Sequence, residues 1–150
     1  MPVNHERFMR MALEEAAKGK VEGNVAVGSV IVQGDTVVAR GRNLVATTCD
    51  PTAHAETVAL REAGRALSQV DFSGCALYTT FEPCPMCCGA ILASGITTLV
   101  LGARPTPAER RWGAYTVEKL VELAQRGDAL EVVTGILPQE CADIRQGERR

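Results

Sequence analysis

Apolar positions recur along this chain with two periods, one suited to helices and one to strands. Phe8, Met9, Ala12, Leu13 and Ala16 share one helical face, which predicts an amphipathic helix over residues 5–18 with Asn4 as N-cap and Gly19 as its stop. Residues 25–32 and 36–40 are rich in β-branched side chains and flank Gln33-Gly34-Asp35, the pattern of a hairpin. A helix over 52–67 follows, opened by Asp50-Pro51-Thr52 with Thr52 as N-cap. Residues 75–80 read as a strand, followed by a helix from Cys84 to near Gly95, a strand over 97–102, a helix over 116–125, a strand over 130–134 and a short helix over 139–145. Strands and helices alternate from Cys75 onward, which implies right-handed crossovers and a parallel run. The expected architecture is a three-layer α/β/α sandwich on a mixed five-stranded sheet, one domain over residues 1–150.

Two segments carry the chemistry. His54-Ala55-Glu56 is followed, some thirty residues on, by Pro83-Cys84-Pro85-Met86-Cys87. One imidazole and two thiolates are good zinc ligands, yet a structural zinc site closes its tetrahedron with four protein ligands, so this set leaves a position open for water. Bound zinc lowers the pKa of such a water to about 7, and a neighbouring carboxylate, here Glu56, can move its proton. H-x-E followed by P-C-x-x-C is the known signature of zinc-dependent base deaminases. Local geometry agrees: His54 and Glu56 would sit in the first turn of one helix and Cys84 and Cys87 at the start of another, with Pro83 and Pro85 where a missing N–H costs little. Positive helix N-termini favour thiolate over thiol. A closed structural site would need a fourth ligand, for which Cys49 is the best candidate and Cys88 a poorer one. Cys49, Cys75, Cys88 and Cys141 read instead as buried or free thiols.

Composition narrows the class. A chain of 150 residues, 46% hydrophobic, is long enough for a substantial core. It has no apolar run of membrane-spanning length, and Asn4, His5, Glu6 and Arg7 do not make a signal peptide, so a cytoplasmic protein without membrane contact is expected. Six cysteines in a reducing compartment point to metal and free thiols over disulfides. With a net charge of −2 and interspersed signs, no basic groove for nucleic acid is evident. The local clusters Arg104, Arg110, Arg111 and Arg145, Arg149, Arg150 read as solvated surface.

The order of elements, the two motifs, and the phrases Asp50-Pro51-Thr52-Ala53-His54-Ala55-Glu56 and Leu77-Tyr78-Thr79-Thr80-Phe81-Glu82-Pro83-Cys84 resemble the cytidine deaminase superfamily over roughly residues 8–141. The resemblance is strongest to its branch of guanine deaminases, fungal-type cytosine deaminases and bacterial tRNA adenosine deaminases. It implies that His54, Cys84 and Cys87 bind Zn2+, that Glu56 shuttles protons, that Asn43 hydrogen-bonds the ring, and that backbone groups at Ala55, Glu82 and Cys84 line the reacting edge. The family's symmetry implies a homodimer. Several features depart from the individual branches. Ala26 stands where proline is usual, Ser94 and residues 112–115 do not reproduce the guanine deaminase site, and residues 145–150 lack the fungal C-terminal cap. Pro105-Thr106-Pro107-Ala108-Glu109 replaces the Lys-Thr-Gly-Ala loop of the tRNA enzymes. Trp112 and Tyr115 either form an aromatic lid over a small ring or pack on a neighbouring helix or dimer partner. The expectation is a zinc aminohydrolase of a free heterocyclic base (cytosine, isocytosine, guanine, an oxidised or aza base, or an amino-triazine), with release of ammonia. A tRNA adenosine deaminase is the rival enzyme, and a structural zinc or interaction module the rival outside enzymes.

Overall fold

In the computed structural model, which describes residues 3–146, the chain begins with α1 (His5–Val21), β1 (Gly28–Gln33), β2 (Thr36–Arg42), α2 (Val45–Thr48) and α3 (Ala55–Leu67). It continues through β3 (Cys75–Phe81), α4 (Pro85–Ser94), β4 (Thr98–Ala103), a 3₁₀ turn (Pro107–Glu109), α5 (Val117–Leu123), β5 (Glu131–Val133) and α6 (Pro138–Asp143). The strands form one sheet in the order β2-β1-β3-β4-β5. β1 is antiparallel to β2 and β3, whereas β3, β4 and β5 run parallel. This is the expected mixed five-stranded sheet.

Strand periodicity builds the layers, since successive side chains of a strand point to opposite faces. Val30, Val32, Tyr78 and Val100 meet Phe8, Met9 and Ala12 of α1 and Cys141 of α6. Their neighbours Ile31, Leu77, Leu99 and Leu101 meet Ala59 and Ala63 of α3, Cys88 and Ile91 of α4, and Val117 and Val121 of α5. Burying each large aliphatic is worth about 1.5–3 kcal/mol relative to leaving it in water. A register shift between Ile31 and Val32 keeps Ile31 opposite Ala39 and Val32 opposite Val37, so both strands keep their core faces aligned. Two glycines set the helix–sheet distance. A Cβ at Gly28 would lie 2.0 Å from Ala12 O on α1, and one at Gly41 would lie 2.4 Å from Ala55 O and 2.5 Å from Ala59 N on α3.

Several expected boundaries are corrected. Asn4 caps α1 by accepting from Arg7 N, but Gly19 lies inside the helix, which runs on to Val21. Gly23, at φ +97°, takes the chain out of the helical direction instead. Residues 25–27 precede β1 without joining it, because β1 pairs only from Gly28. Thr52 does not cap α3. The helix starts at Ala55 with His54 in the cap position, and Thr52 instead forms a turn in which its N and Oγ1 donate to Asp50 Oδ1. Those two bonds hold the Asp50 carboxyl below the usual carboxylate range. α2 was not expected. It is held from outside by Asn24, whose Oδ1 accepts from Ala46 N and Thr47 N, a long-range cap that no local pattern signals. Among the described residues no helix is long and apolar enough to cross a membrane.

Candidate active site

His54 and Cys84 occupy the same local position in two different helices. Each is an N-cap residue with extended backbone, His54 at φ −72°, ψ 159° before α3 and Cys84 at φ −68°, ψ 170° before α4. A side chain at such a position projects ahead of the helix instead of lying along it. The Asp50–Thr52 turn delivers His54, with His54 N donating to Thr52 O and Thr57 Oγ1 bonding both Thr52 O and His54 O. β3 delivers Cys84 three residues past its end, and Pro85 starts α4 where no N–H is missed. Cys87 lies in the first turn of α4 and is fully buried.

His54 Nδ1 lies 3.5 Å from the Sγ of Cys84 and 3.5 Å from that of Cys87, and the three ligand atoms are within 4.8 Å of one another. A tetrahedral zinc, with Zn–S of about 2.3 Å and Zn–N of about 2.0–2.1 Å, separates its N and S ligands by about 3.5 Å, so the donor set and spacing fit this metal. Among the described residues no other His, Cys, Asp or Glu joins the cluster, and Cys49 is exposed on its own loop. The closed four-ligand alternative through Cys49 or Cys88 therefore lacks its fourth donor here. All six cysteines are free thiols. The Cys84 thiol is drawn down to about 4 by its hydrogen bond with Cys87, against burial and with help from His54. Cys87 is pushed up by the same bond, by burial and by the Glu56 charge.

His54 and Cys84 form one end of a cleft of about 200 Å³ at the carboxyl end of β3, where ligands of α/β sheets bind, with Cys87 buried behind them. Glu56, 4% exposed in the first turn of α3, faces it together with Ala55 and Asn43. Asn43 is buried and oriented by its Oδ1, which accepts from Val45 N; its Nδ2 makes no hydrogen bond to the described residues and is the end available to a ligand. Glu82 lines the cleft, but its carboxylate is already engaged: Oε2 accepts from Val117 N at 2.9 Å and lies 3.8 Å from Arg104. Its side chain anchors the start of α5.

Both aromatics line the cleft, but in different ways. Tyr115 packs against the core and donates through its hydroxyl to Pro83 O at 2.6 Å, so it braces the segment entering Cys84. Burial and the neighbouring Cys88 push its phenol up. Trp112 is 49% exposed at the cleft mouth, with the Arg111 guanidinium 5.4 Å from its ring. The basic clusters are not merely solvated surface. Arg110 and Arg111 line the cleft, Arg104 pairs with Glu118 and Glu82, and Arg145 is buried; Arg149 and Arg150 lie outside the described residues. Sequence reasoning also missed Phe81 and Glu109 in the cleft wall. Phe81 arrives with the end of β3, just before Cys84, and Glu109 only through the chain reversal between β4 and α5, which no motif marks.

Residues 2–103 match the model of the cytidine and deoxycytidylate deaminase zinc-binding region, and the chain belongs to this family. It is a zinc-dependent hydrolytic deaminase. Over 140 residues, 93% of this chain and 84% of the other, it is 36% identical to the tRNA-specific adenosine deaminase of Bacillus subtilis (strain 168). It is 46% identical to the guanine deaminase of the same organism over 90 residues, 59% of this chain and 58% of that one. A chloroplastic tRNA(adenine(34)) deaminase of Arabidopsis thaliana is 49% identical over 98 residues, but the match spans only 8% of that protein. Among solved structures, a guanine deaminase from Nitrosomonas europaea superimposes with TM-score 0.83 at 29% identity, covering 97% of this chain and 85% of that one. A structure from work on tRNA:A34 deaminases superimposes at 0.78 and 33% identity, covering 92% and 98%.

Proposed function

We propose that this protein deaminates adenosine within a tRNA. The observation that carries the reading is the end-to-end similarity to tRNA-specific adenosine deaminases, which reaches past the zinc motifs into the second half of the chain. The cleft supports it. Arg110, Arg111 and the half-exposed Trp112 rim its mouth, and neither guanidinium has a carboxylate partner among the described residues, an arrangement suited to phosphate and an unstacked base. This reverses the order of the two expectations. The preference for a free base rested on net charge and on the unusual 105–109 loop, but net charge averages over the surface, whereas the fold sets the adjacent Arg110 and Arg111 at the opening. Deamination of free guanine is the second reading, favoured by the 46% identity to a guanine deaminase over 90 residues and by the N. europaea superposition.

In this reading His54, Cys84 and Cys87 hold the zinc. A zinc held there would supply a water acidified to a pKa of about 7, a nucleophile at neutral pH. Glu56 moves the water's two protons in turn, one to the ring nitrogen and one to the departing amine, so the water oxygen replaces the amino group and ammonia leaves. Ala55 N–H, in the first turn of α3, has no intrahelical acceptor and is free to face the substrate edge. Asn43 Nδ2 orients the ring. We further propose that two chains pair through the outer face of α4, where Met86, Gly89 and Ala93 are exposed on a helix apolar nearly all round.

The test is ammonia release from an anticodon stem-loop, adenosine, guanine and cytosine across a salt series. The stem-loop should be converted with a rate that falls as salt rises, because phosphate binding releases counterions. Glu56→Ala should retain zinc and lose turnover by about 10²–10⁴-fold. Efficient, salt-indifferent turnover of guanine with inert RNA would replace this reading with the second.

A further inference from the structure

One buried charge takes no part in the chemistry above. Arg145 is 9% exposed just past the end of α6, and its guanidinium lies 3.7 Å from the centre of the Phe81 ring. Its Nη1 is 3.6 Å from Glu109 Oε2. Phe81 ends β3 and Glu109 ends the 3₁₀ turn, and both line the cleft, whereas Arg145 does not. A residue outside the cleft therefore joins two parts of its wall.

The two ends of this bridge differ in firmness. α6 is anchored. Cys141 is buried against Gly102, where an added Cβ would lie 2.4 Å from Cys141 Sγ, Lys20 Nζ donates to Ile144 O at 2.7 Å, and Arg10 pairs with Glu140. The 105–113 loop is mostly exposed and contributes no residue to either core cluster. Glu109 links the two. Its Oε1 accepts from Thr106 N at 2.8 Å, closing the turn, while Oε2 faces Arg145. A guanidinium withdrawn from water in this way must be held by a carboxylate and a ring face, and each contact gains strength as water is excluded.

We infer that Arg145 is a positioning residue: by holding Glu109 while backing the Phe81 ring, it sets the place of the 105–113 loop, and so of Trp112, over the cleft. This goes beyond the proposed activity and holds whether the base arrives free or within RNA.

Trp112 is the single tryptophan of this chain, so its fluorescence reports the loop directly in the zinc-containing protein. Glu109→Gln removes the charge pair at a side chain that is 47% exposed and leaves the core intact. Arg145→Met keeps an apolar contact with Phe81 without the pair. Acrylamide quenching of Trp112 should rise toward that of a fully exposed tryptophan in both variants and rise no further in the double variant, because the two act through one contact. Arg145→Lys should restore part of the shielding. With the stem-loop or guanine, whichever is turned over, KM should rise about tenfold while kcat stays within about twofold, the sign of a lost binding geometry. Unchanged quenching in folded Glu109→Gln, additive effects in the double variant, or a fall in kcat alone would overturn the assignment. If the tRNA reading fails and guanine proves to be the substrate, the quenching result still decides this inference.

Discussion

At the scale of single residues, burial decides which groups ionise and which do not. Tyr78 is 1% exposed beneath α1, and its hydroxyl meets His5 Nδ1 at 2.8 Å. Burial pushes its phenol from 10.0 up to about 12, so the folded chain keeps a proton that the unfolded chain releases. Below pH 10 both states are protonated and the stability is intact; as pH rises through 12 it is lost, by about 2–3 kcal/mol from this residue. Cys141, pushed up to about 12 by burial, bends the curve in the same direction. Denaturant melts at a series of alkaline pH values should show this limb, and Tyr78→Phe should flatten it while costing about 1 kcal/mol at neutral pH for the lost hydrogen bond. An unchanged slope in Tyr78→Phe would place the alkaline sensitivity elsewhere. The motif residues were legible at this scale, since ligand type and spacing are local properties. The roles of Glu82 and Tyr115 were not, because a carboxylate that holds the α5 N-terminus and a phenol that braces Pro83 act on partners some thirty residues distant.

At the scale of elements, the distance between α3 and β2 controls the site. Gly41 lets the backbone of α3 at Ala55 and Ala59 lie directly on the sheet, which sets where His54 and Glu56 emerge. Gly41→Ala forces the helix start outward, at a cost of about 1–3 kcal/mol for overpacking. It should also lower zinc content and turnover beyond what the loss of stability explains. Melting, metal analysis and activity on one preparation separate the two effects; full zinc and native activity at wild-type stability would show that the contact is not limiting. Most element types were readable from periodicity, and the alternation after Cys75 correctly foretold the parallel strands. Apart from the unexpected α2, errors gathered at ends. Gly19 sits inside α1 and His54, not Thr52, precedes α3, because packing against the sheet and the Asp50 turn outweigh local capping preference there.

At the scale of the whole molecule, the open question is assembly. α4 buries Cys87, Cys88 and Ile91 inward yet presents Met86, Gly89 and Ala93 outward. A Cβ at Gly89 would meet nothing within 4 Å, so Gly89→Glu fits the single chain while placing a charge in the proposed interface. Light scattering should report a dimer for the native protein and a folded monomer for Gly89→Glu. A native monomer, or a variant that remains dimeric, would move the interface away from α4.

The sequence by itself determined the reaction class and the order of strands and helices. Zinc ligands and a proton shuttle demand particular side chains at particular local spacings, and strand and helix periods are written in consecutive residues. Only the tertiary structure decided what surrounds that chemistry: Arg110, Arg111 and Trp112 at the mouth, Glu82 turned to α5, and Arg145 withdrawn from solvent behind Phe81. The physical reason is that a cleft wall is assembled from segments remote in sequence. The burial and partner of a charge depend on which segments meet, and no count of charges or local pattern records that meeting.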